Sequence, residues 1–279
     1  MRYTFMRFPN FRRKALTLSY DDGKIYDRKL IEIMDKHGLK GTFNINGGMF
    51  PEETGGIRLT KEEAYELYAN SPHEVAVHGF EHLSLGEVDQ AIATRDVMKD
   101  REVLEEMFGR VIKGMAYANG SWGGEKVLEA VKSCGISYAR TTANTERFNV
   151  PEDWLRMPGT CHHNNPRLME LAKTFVETKD SQHTWSNTPM LFYLWGHSYE
   201  FNDNDNWNVI EEFAAYMGGR DDIWYATNGE IYDYVQAFNS LQFSVNGTFV
   251  YNPSAMDVYI CYRGKDVVVP AGKTAKIVR

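Results

Sequence analysis

Two adjacent aspartates, Asp21 and Asp22, close a short β-type run, Leu16-Thr17-Leu18-Ser19-Tyr20, and Gly23 follows them. A second run, Val75-Ala76-Val77, ends in His78-Gly79-Phe80-Glu81-His82, and a third, Leu191-Phe192-Tyr193-Leu194-Trp195-Gly196, ends in His197. Residue types that bind metals and carry protons therefore stand at three strand ends, where α/β folds hold their chemistry. One carboxylate with two neutral imidazoles is a common catalytic metal set, because three protein ligands leave a position open for water. If one aspartate is a ligand, the other can serve as base toward that water. His197, whose type titrates near neutrality, suits the protonation of a leaving group. Each piece alone has an ordinary structural explanation: Asp-Asp-Gly can cap the next helix, the histidine pair can be structural, and His197 can be a hydrogen-bonded rim residue. Their coincidence at strand ends far apart in sequence points to a metal-dependent hydrolase.

The elements that must position these groups can be read from periodicity. Strand-like and helix-like stretches alternate, the mark of a parallel sheet with helical crossovers. Strands are expected over 15–20, 41–46, 74–78, 114–118, 136–141, 155–158, 190–195 and 223–227. Helices are expected over 26–37, 85–108, 124–133, 166–177 and 228–238, and Thr60-Lys61-Glu62-Glu63 reads as a capping box opening another. Seven or eight such repeats make an α/β barrel. After Ser240 the texture changes to short strands, over 241–245, 248–251, 257–262, 266–269 and 275–278, broken by turn pairs such as Asn246-Gly247. The expected division is a barrel over 1–240 and a β appendage over 241–279, since so short a tail is too small for a core of its own.

Bulk properties narrow the function classes. A chain of 279 residues with 43% hydrophobic and 25% charged content is an ordinary soluble protein with room for a large core. A net charge of −7 without a basic stripe argues against a nucleic-acid partner. No apolar run reaches the ~18 residues a membrane span needs. Cys134, Cys161 and Cys261 are widely spaced and form neither a disulfide framework nor a zinc knuckle, which fits a reducing compartment. The opening residues lack a signal-peptide core, so a cytoplasmic location is expected if Met1 is the native start.

Over about 15–237 the sequence resembles the polysaccharide deacetylases with a NodB-like domain, carbohydrate esterase family four. Leu18-Ser19-Tyr20-Asp21-Asp22-Gly23 is similar to the family's Thr-Phe-Asp-Asp-Gly motif, which implies Asp21 as general base and Asp22 as metal ligand. His78-Gly79-Phe80-Glu81-His82 is similar to its His-Ser/Thr-x-x-His motif, which implies two more ligands, and His197 matches the histidine of its last motif, the acid. The resemblance implies a distorted (β/α) barrel, zinc or another divalent transition metal, and removal of acetyl groups, N-acetyl more than O-acetyl, from an acetylated sugar or oligosaccharide.

Where the family has a third motif running from arginine through proline to glycine, this chain has Met115-Ala116-Tyr117-Ala118-Asn119-Gly120. The main-chain N–H of Asn119 is then the implied oxyanion donor, since an amide does not depend on its side chain. The arginine that orients the base is missing there; Arg140 and Arg156, both near strand ends, are the alternatives for it. Trp195 stands where a smaller residue often lines the acetyl pocket. His162 or His163, in Cys161-His162-His163-Asn164-Asn165, can contact substrate or form a second metal site, unless this is a solvated loop. Trp122, Trp195, Tyr199 and Trp207 can stack on sugar faces or simply fill the core. Two other readings stay open: a related amidohydrolase of a cyclic or other non-sugar amide, and a non-catalytic carbohydrate-binding protein.

Overall fold

The computed structural model describes residues 4–181 and 187–277. The chain runs β1 (Thr4–Arg7), β2 (Lys14–Asp21), α1 (Asp27–Lys36), β3 (Gly41–Ile45), α2 (Lys61–Tyr68), β4 (Glu74–Val77) and α3 (Gln90–Phe108). It continues through β5 (Gly114–Ala116), α4 (Glu125–Ser133), β6 (Tyr138–Asn144), β7 (Met157–Gly159), β8 (Cys161–His162) and α5 (Leu168–Glu177). Then come β9 (Met190–Gly196), α6 (Ser198–Asp203), α7 (Asn208–Met217), β10 (Ile223–Tyr225) and α8 (Asn228–Asn239). Five short strands finish it: β11 (Gln242–Phe243), β12 (Phe249–Tyr251), β13 (Val258–Tyr262), β14 (Lys265–Val269) and β15 (Thr274–Lys276).

Nine strands form one parallel sheet in the order β7-β6-β5-β4-β3-β2-β9-β8, with β10 also on β2. β3 pairs with Leu18–Asp21 of β2 and β10 with Lys14–Leu16, so the two share one edge of that strand. The ends of the sheet are stitched together by the chain itself. β7 pairs with β6, and the next residues run straight into β8, which pairs with β9; Thr160 N–H donates to Tyr193 O at 2.8 Å. The result is the distorted (β/α) barrel expected from the sequence. No helix among the described residues is long and apolar enough to cross a membrane.

Strand alternation decides which side chains meet the chemistry. On β2, Leu16, Leu18 and Tyr20 pack into the large core between sheet and helices. Thr17, Ser19 and Asp21 face the other way, into the ring, where Thr17 bonds Asn228 and Ser19 accepts from Asn44. The expected elements are present within a few residues. α6, α7, β1 and β8 were not expected, and the expected end of the last strand at Val278 lies outside the described residues. The additional strands make two small antiparallel sheets, and β1 belongs to one of them, pairing Phe5 with Cys261 on β13.

Asp27 opens α1 fully buried, its Oδ2 accepting the Tyr68 hydroxyl at 2.5 Å. Burial pushes its carboxyl up to about 7, against the pull of that hydrogen bond. A carboxyl whose folded pKa exceeds its unfolded value of ~3.9 binds more protons in the native state, so stability falls as pH rises between those two values. Urea unfolding should therefore show lower stability at pH 7.5 than at pH 5, and Asp27→Asn should shrink that difference. An unchanged pH slope in Asp27→Asn would rule Asp27 out as its source.

Candidate active site

At the end of β2 the backbone turns through Asp22, which takes the left-handed φ of +84°. That turn separates the two carboxylates. Asp21 stays in the ring, where Oδ1 accepts from Asn44 Nδ2 at 2.8 Å and Oδ2 from the Arg140 guanidinium. Asp22 faces the strand mouth, its carbonyl held by Arg58 Nη1 at 2.7 Å.

The histidine segment is shaped by acids on α3. Asp100 accepts the N–H of His78 at 2.9 Å and of Gly47 at 2.5 Å, while Asp96 accepts the N–H of Glu81 at 2.8 Å. Asn46 donates to the carbonyls of His78 and Gly79 at 3.0 and 2.8 Å. Gly79, at φ +86°, lets Asp96 approach so closely that a Cβ there would sit 2.6 Å from Asp96 Oδ2. The segment curls, His82 also takes a positive φ, and both rings come to Asp22: His82 Nε2 lies 3.5 Å and His78 Nε2 3.8 Å from Asp22 Oδ1.

The chemistry of this donor set fits a cation. His78 Nδ1–H donates to Ala116 O at 2.9 Å, which leaves the lone pair on Nε2. Burial, then the adjacent His78, holds the His82 ring below its usual pKa and hence neutral at pH 7. Asp22 Oδ1 is buried without a hydrogen-bond partner. A buried carboxylate oxygen with no donor is costly unless something positive meets it. The three ligand atoms lie within 4.8 Å of one another.

Opposite them stands His197, whose Nε2 is 3.9 Å from Asp21 Oδ2. Its Nδ1 faces Glu200 Oε1 at 3.0 Å, one turn along α6. Asn164 Nδ2 donates to Glu200 Oε2 at 3.0 Å, and His163 Nε2 and His162 Nε2 lie 2.9 and 3.3 Å from the same oxygen. These neighbours overcome the effect of burial and hold Glu200 well below the usual carboxylate range. For His197, burial works downward, but Glu200 and Asp21 outweigh it and the ring pKa is raised. Glu200→Gln should thus move the alkaline limb of the pH–rate profile to lower pH, since an acid with a weaker hold on its proton loses it sooner. An unmoved limb would mean Glu200 does not tune His197.

His162 and His163 do not lie on a solvated loop. His163 is buried and stacks between Phe201 and Tyr20; Gly196 permits this, since a Cβ there would sit 2.0 Å from His163 Nδ1. His162, His163 and Glu200 also form a cluster of metal-ligand type. However, the N–H of Asn164 donates to His162 Nδ1 at 3.1 Å, which puts the neutral ring's proton on Nε2. The edge of His162 facing Glu200 is then a donor and not a ligand.

The remaining expected residues separate by position. Arg140 is 1% exposed inside the ring, whereas Arg156 is on the surface, paired with Asp153 and lying over Trp122. Trp195 is 6% exposed and packs under the Arg140 guanidinium at 4.5 Å, its Nε1 donating to Asn144 at 2.7 Å. It supports Arg140 and does not offer an open face to a sugar. Trp207 is covered by Lys29 on one side and packs on Phe201. Tyr199 remains beside His197, ring centres 5.2 Å apart. Asn119 has φ +56° in the turn after β5, with its side-chain amide donating to Ser84 Oγ at 3.0 Å. Sequence reasoning missed Glu200, Asn44, Asp96 and Asp100.

Comparison with known proteins bears on the fold around this site. The sequence model of the family described as polysaccharide deacetylase matches residues 9–139. No curated protein matches the sequence significantly. Among solved structures, a candidate polysaccharide deacetylase from Mycobacterium smegmatis is 17% identical, with TM-score 0.58 over 83% of this chain and 93% of that one. A family 4 carbohydrate esterase pseudoenzyme from Bacillus anthracis is 14% identical, with TM-score 0.50 over 82% of this chain and 68% of that one. Against a Streptococcus pyogenes deacetylase solved with acetate, at 18% identity and TM-score 0.45, the match covers 50% of this chain and 61% of that one. At these identities the first two likenesses show the fold alone, and a pseudoenzyme among them means that the fold does not establish turnover. The polysaccharide deacetylase match spans just under half of this chain, residues 9–139, and that segment carries the strand-end Asp21, Asp22, His78 and His82 within a barrel of the same fold as the Mycobacterium smegmatis protein.

Proposed function

We propose that the chain is a metal-dependent deacetylase that removes acetyl groups, N-acetyl in preference to O-acetyl, from a sugar or oligosaccharide. The reading rests chiefly on one observation: an orphaned Asp22 oxygen facing two imidazole nitrogens, with an arginine-held Asp21 and a glutamate-held His197 beside it. Asp22, His78 and His82 would hold the cation, zinc being the expected one. When bound, such a cation supplies Lewis-acid polarisation of an acyl carbonyl and makes water a better nucleophile at neutral pH.

The chain's own residues do the rest. Asp21, fixed by Arg140 and Asn44, takes a proton from the attacking water. The Asn119 main-chain N–H meets the negative charge on the acyl oxygen, a contribution typically worth about 3 kcal/mol. His197, held at Nδ1 by Glu200, delivers the Nε2 proton to the departing amine or alcohol. Tyr199 and His162 flank that acid and are the substrate contacts in this reading, while Arg140 and Trp195 serve the base. The chemistry belongs to 1–240, and 241–279 is an appendage to it.

The test is acetate release from N-acetylated chito-oligomers, O-acetylated oligosaccharides and small cyclic amides by zinc-supplemented protein. Chito-oligomers should be the best substrates, and His197→Ala should lower kcat about a hundredfold or more while metal content stays unchanged. Release of no acetate from any sugar, with the metal bound, would overturn the reading in favour of a carbohydrate-binding protein; turnover of the cyclic amides alone would favour the amidohydrolase.

A further inference from the structure

Lys24 follows the Asp21-Asp22-Gly23 turn and is 8% exposed. Its ammonium lies 5.5 Å from the centre of the Tyr199 ring, which in turn borders His197. Among the described residues this ammonium has no hydrogen bond and no ion pair, and it rests against that ring. The cations around it differ. Arg140 is paired with Asp21, and Arg58 donates to Asp22 O and Asn46 Oδ1.

The acids near Lys24 are engaged elsewhere: Asp22 Oδ1 faces the two imidazoles, and Asp27 accepts from Tyr68. Arg58 adds to the same side, because a β-bridge joins residues 24 and 58. Arg58 also pairs with Asp22 Oδ1 at 4.0 Å, so of these two cations Lys24 alone is left without a bonded or ion-paired anion. A mostly buried ammonium is costly to keep charged without an anion, and an aromatic face offsets only part of that cost. A neutral sugar brings hydroxyls, which do not balance it.

We propose that Lys24 recognises an anionic substituent, a carboxylate or a phosphate, on the acetylated sugar. The inference rests on the deacetylase reading for the position of the sugar, between Tyr199 and the Asp22 corner. It narrows the substrate class from acetylated sugars in general to acidic ones.

Calorimetric binding of N-acetylglucosamine, N-acetylmuramic acid and N-acetylglucosamine 6-phosphate to the whole, zinc-supplemented protein tests it, with acetate release followed in parallel. One charged sugar or both should bind about tenfold tighter than the neutral one or better, with the preference fading as salt is raised. The tighter of the two identifies carboxylate or phosphate. Lys24→Met should abolish the preference and Lys24→Arg should retain it, which separates loss of charge from loss of folding. Equal affinities for the three sugars, no binding of either charged sugar, or an unchanged preference in Lys24→Met would overturn the proposal. A charged-sugar preference without acetate release would defeat the deacetylase reading alone; acetate release without any preference would defeat the Lys24 inference alone.

Discussion

Chelator treatment is expected to lower acetate release by about a thousandfold or more, with zinc restoring it, because in the proposed reaction both the nucleophile and the acyl carbonyl would rely on Lewis-acid help. His78→Ala should reproduce the loss without chelator. In that variant metal analysis should fall from about one ion per chain to a small fraction, since two ligands seldom suffice for tight binding. The structural reason is specific to His78. Its ring is buried, and the bond from Nδ1 to Ala116 O fixes which nitrogen faces Asp22. His82 is the more exposed ligand, so His82→Ala should lose metal less completely. Full activity in protein shown to be free of transition metals would sink the scheme at its base.

Arg140→Met should carry the second large effect, and it should show in stability as well as rate. Arg140 and Asp21 are 1% and 4% exposed, and removing one member of a buried pair typically costs about 3–5 kcal/mol. Burial raises the Asp21 pKa, but Arg140, His78 and His197 outweigh it and bring the carboxyl down to about 2. A depressed carboxylate contributes stability above its unfolded pKa and loses it as pH falls toward its folded one. The deficit of Arg140→Met should therefore be largest at neutral pH and shrink near pH 4, where Asp21 can protonate. Turnover should fall about a hundredfold or more as the base loses its orientation. Adding Asp21→Asn to Arg140→Met should recover much of the stability and none of the activity. Denaturant unfolding at two pH values with acetate assays decides it, and a stable, active Arg140→Met would remove Arg140 from the site.

How much of this could be read from the chain depended on distance along it. Asp21, Asp22, His78, His82 and His197 were legible as candidates because each stands at or soon after the end of a buried strand, and strand ends in this architecture share one mouth. The choice between Arg140 and Arg156 was not, since both sit near strand ends. Strand parity places Arg140 beside Asp21: it shares its side of β6 with Tyr138 and so points into the ring. Glu200 was invisible because α6 is only six residues long and carries no apolar stripe that sequence could recognise. β8 was missed for a related reason, as two residues hold no periodicity. β1 is four residues, and its partner strand lies some 250 positions away.

That last pairing bears on how the protein is made. β1 is synthesised before the barrel strands, yet its hydrogen-bonding partner β13 is synthesised after them. Until then β1 is a bare strand edge, the kind of surface that invites pairing with other chains. Strands on either side of the barrel are thus drawn together only once every barrel strand has been made.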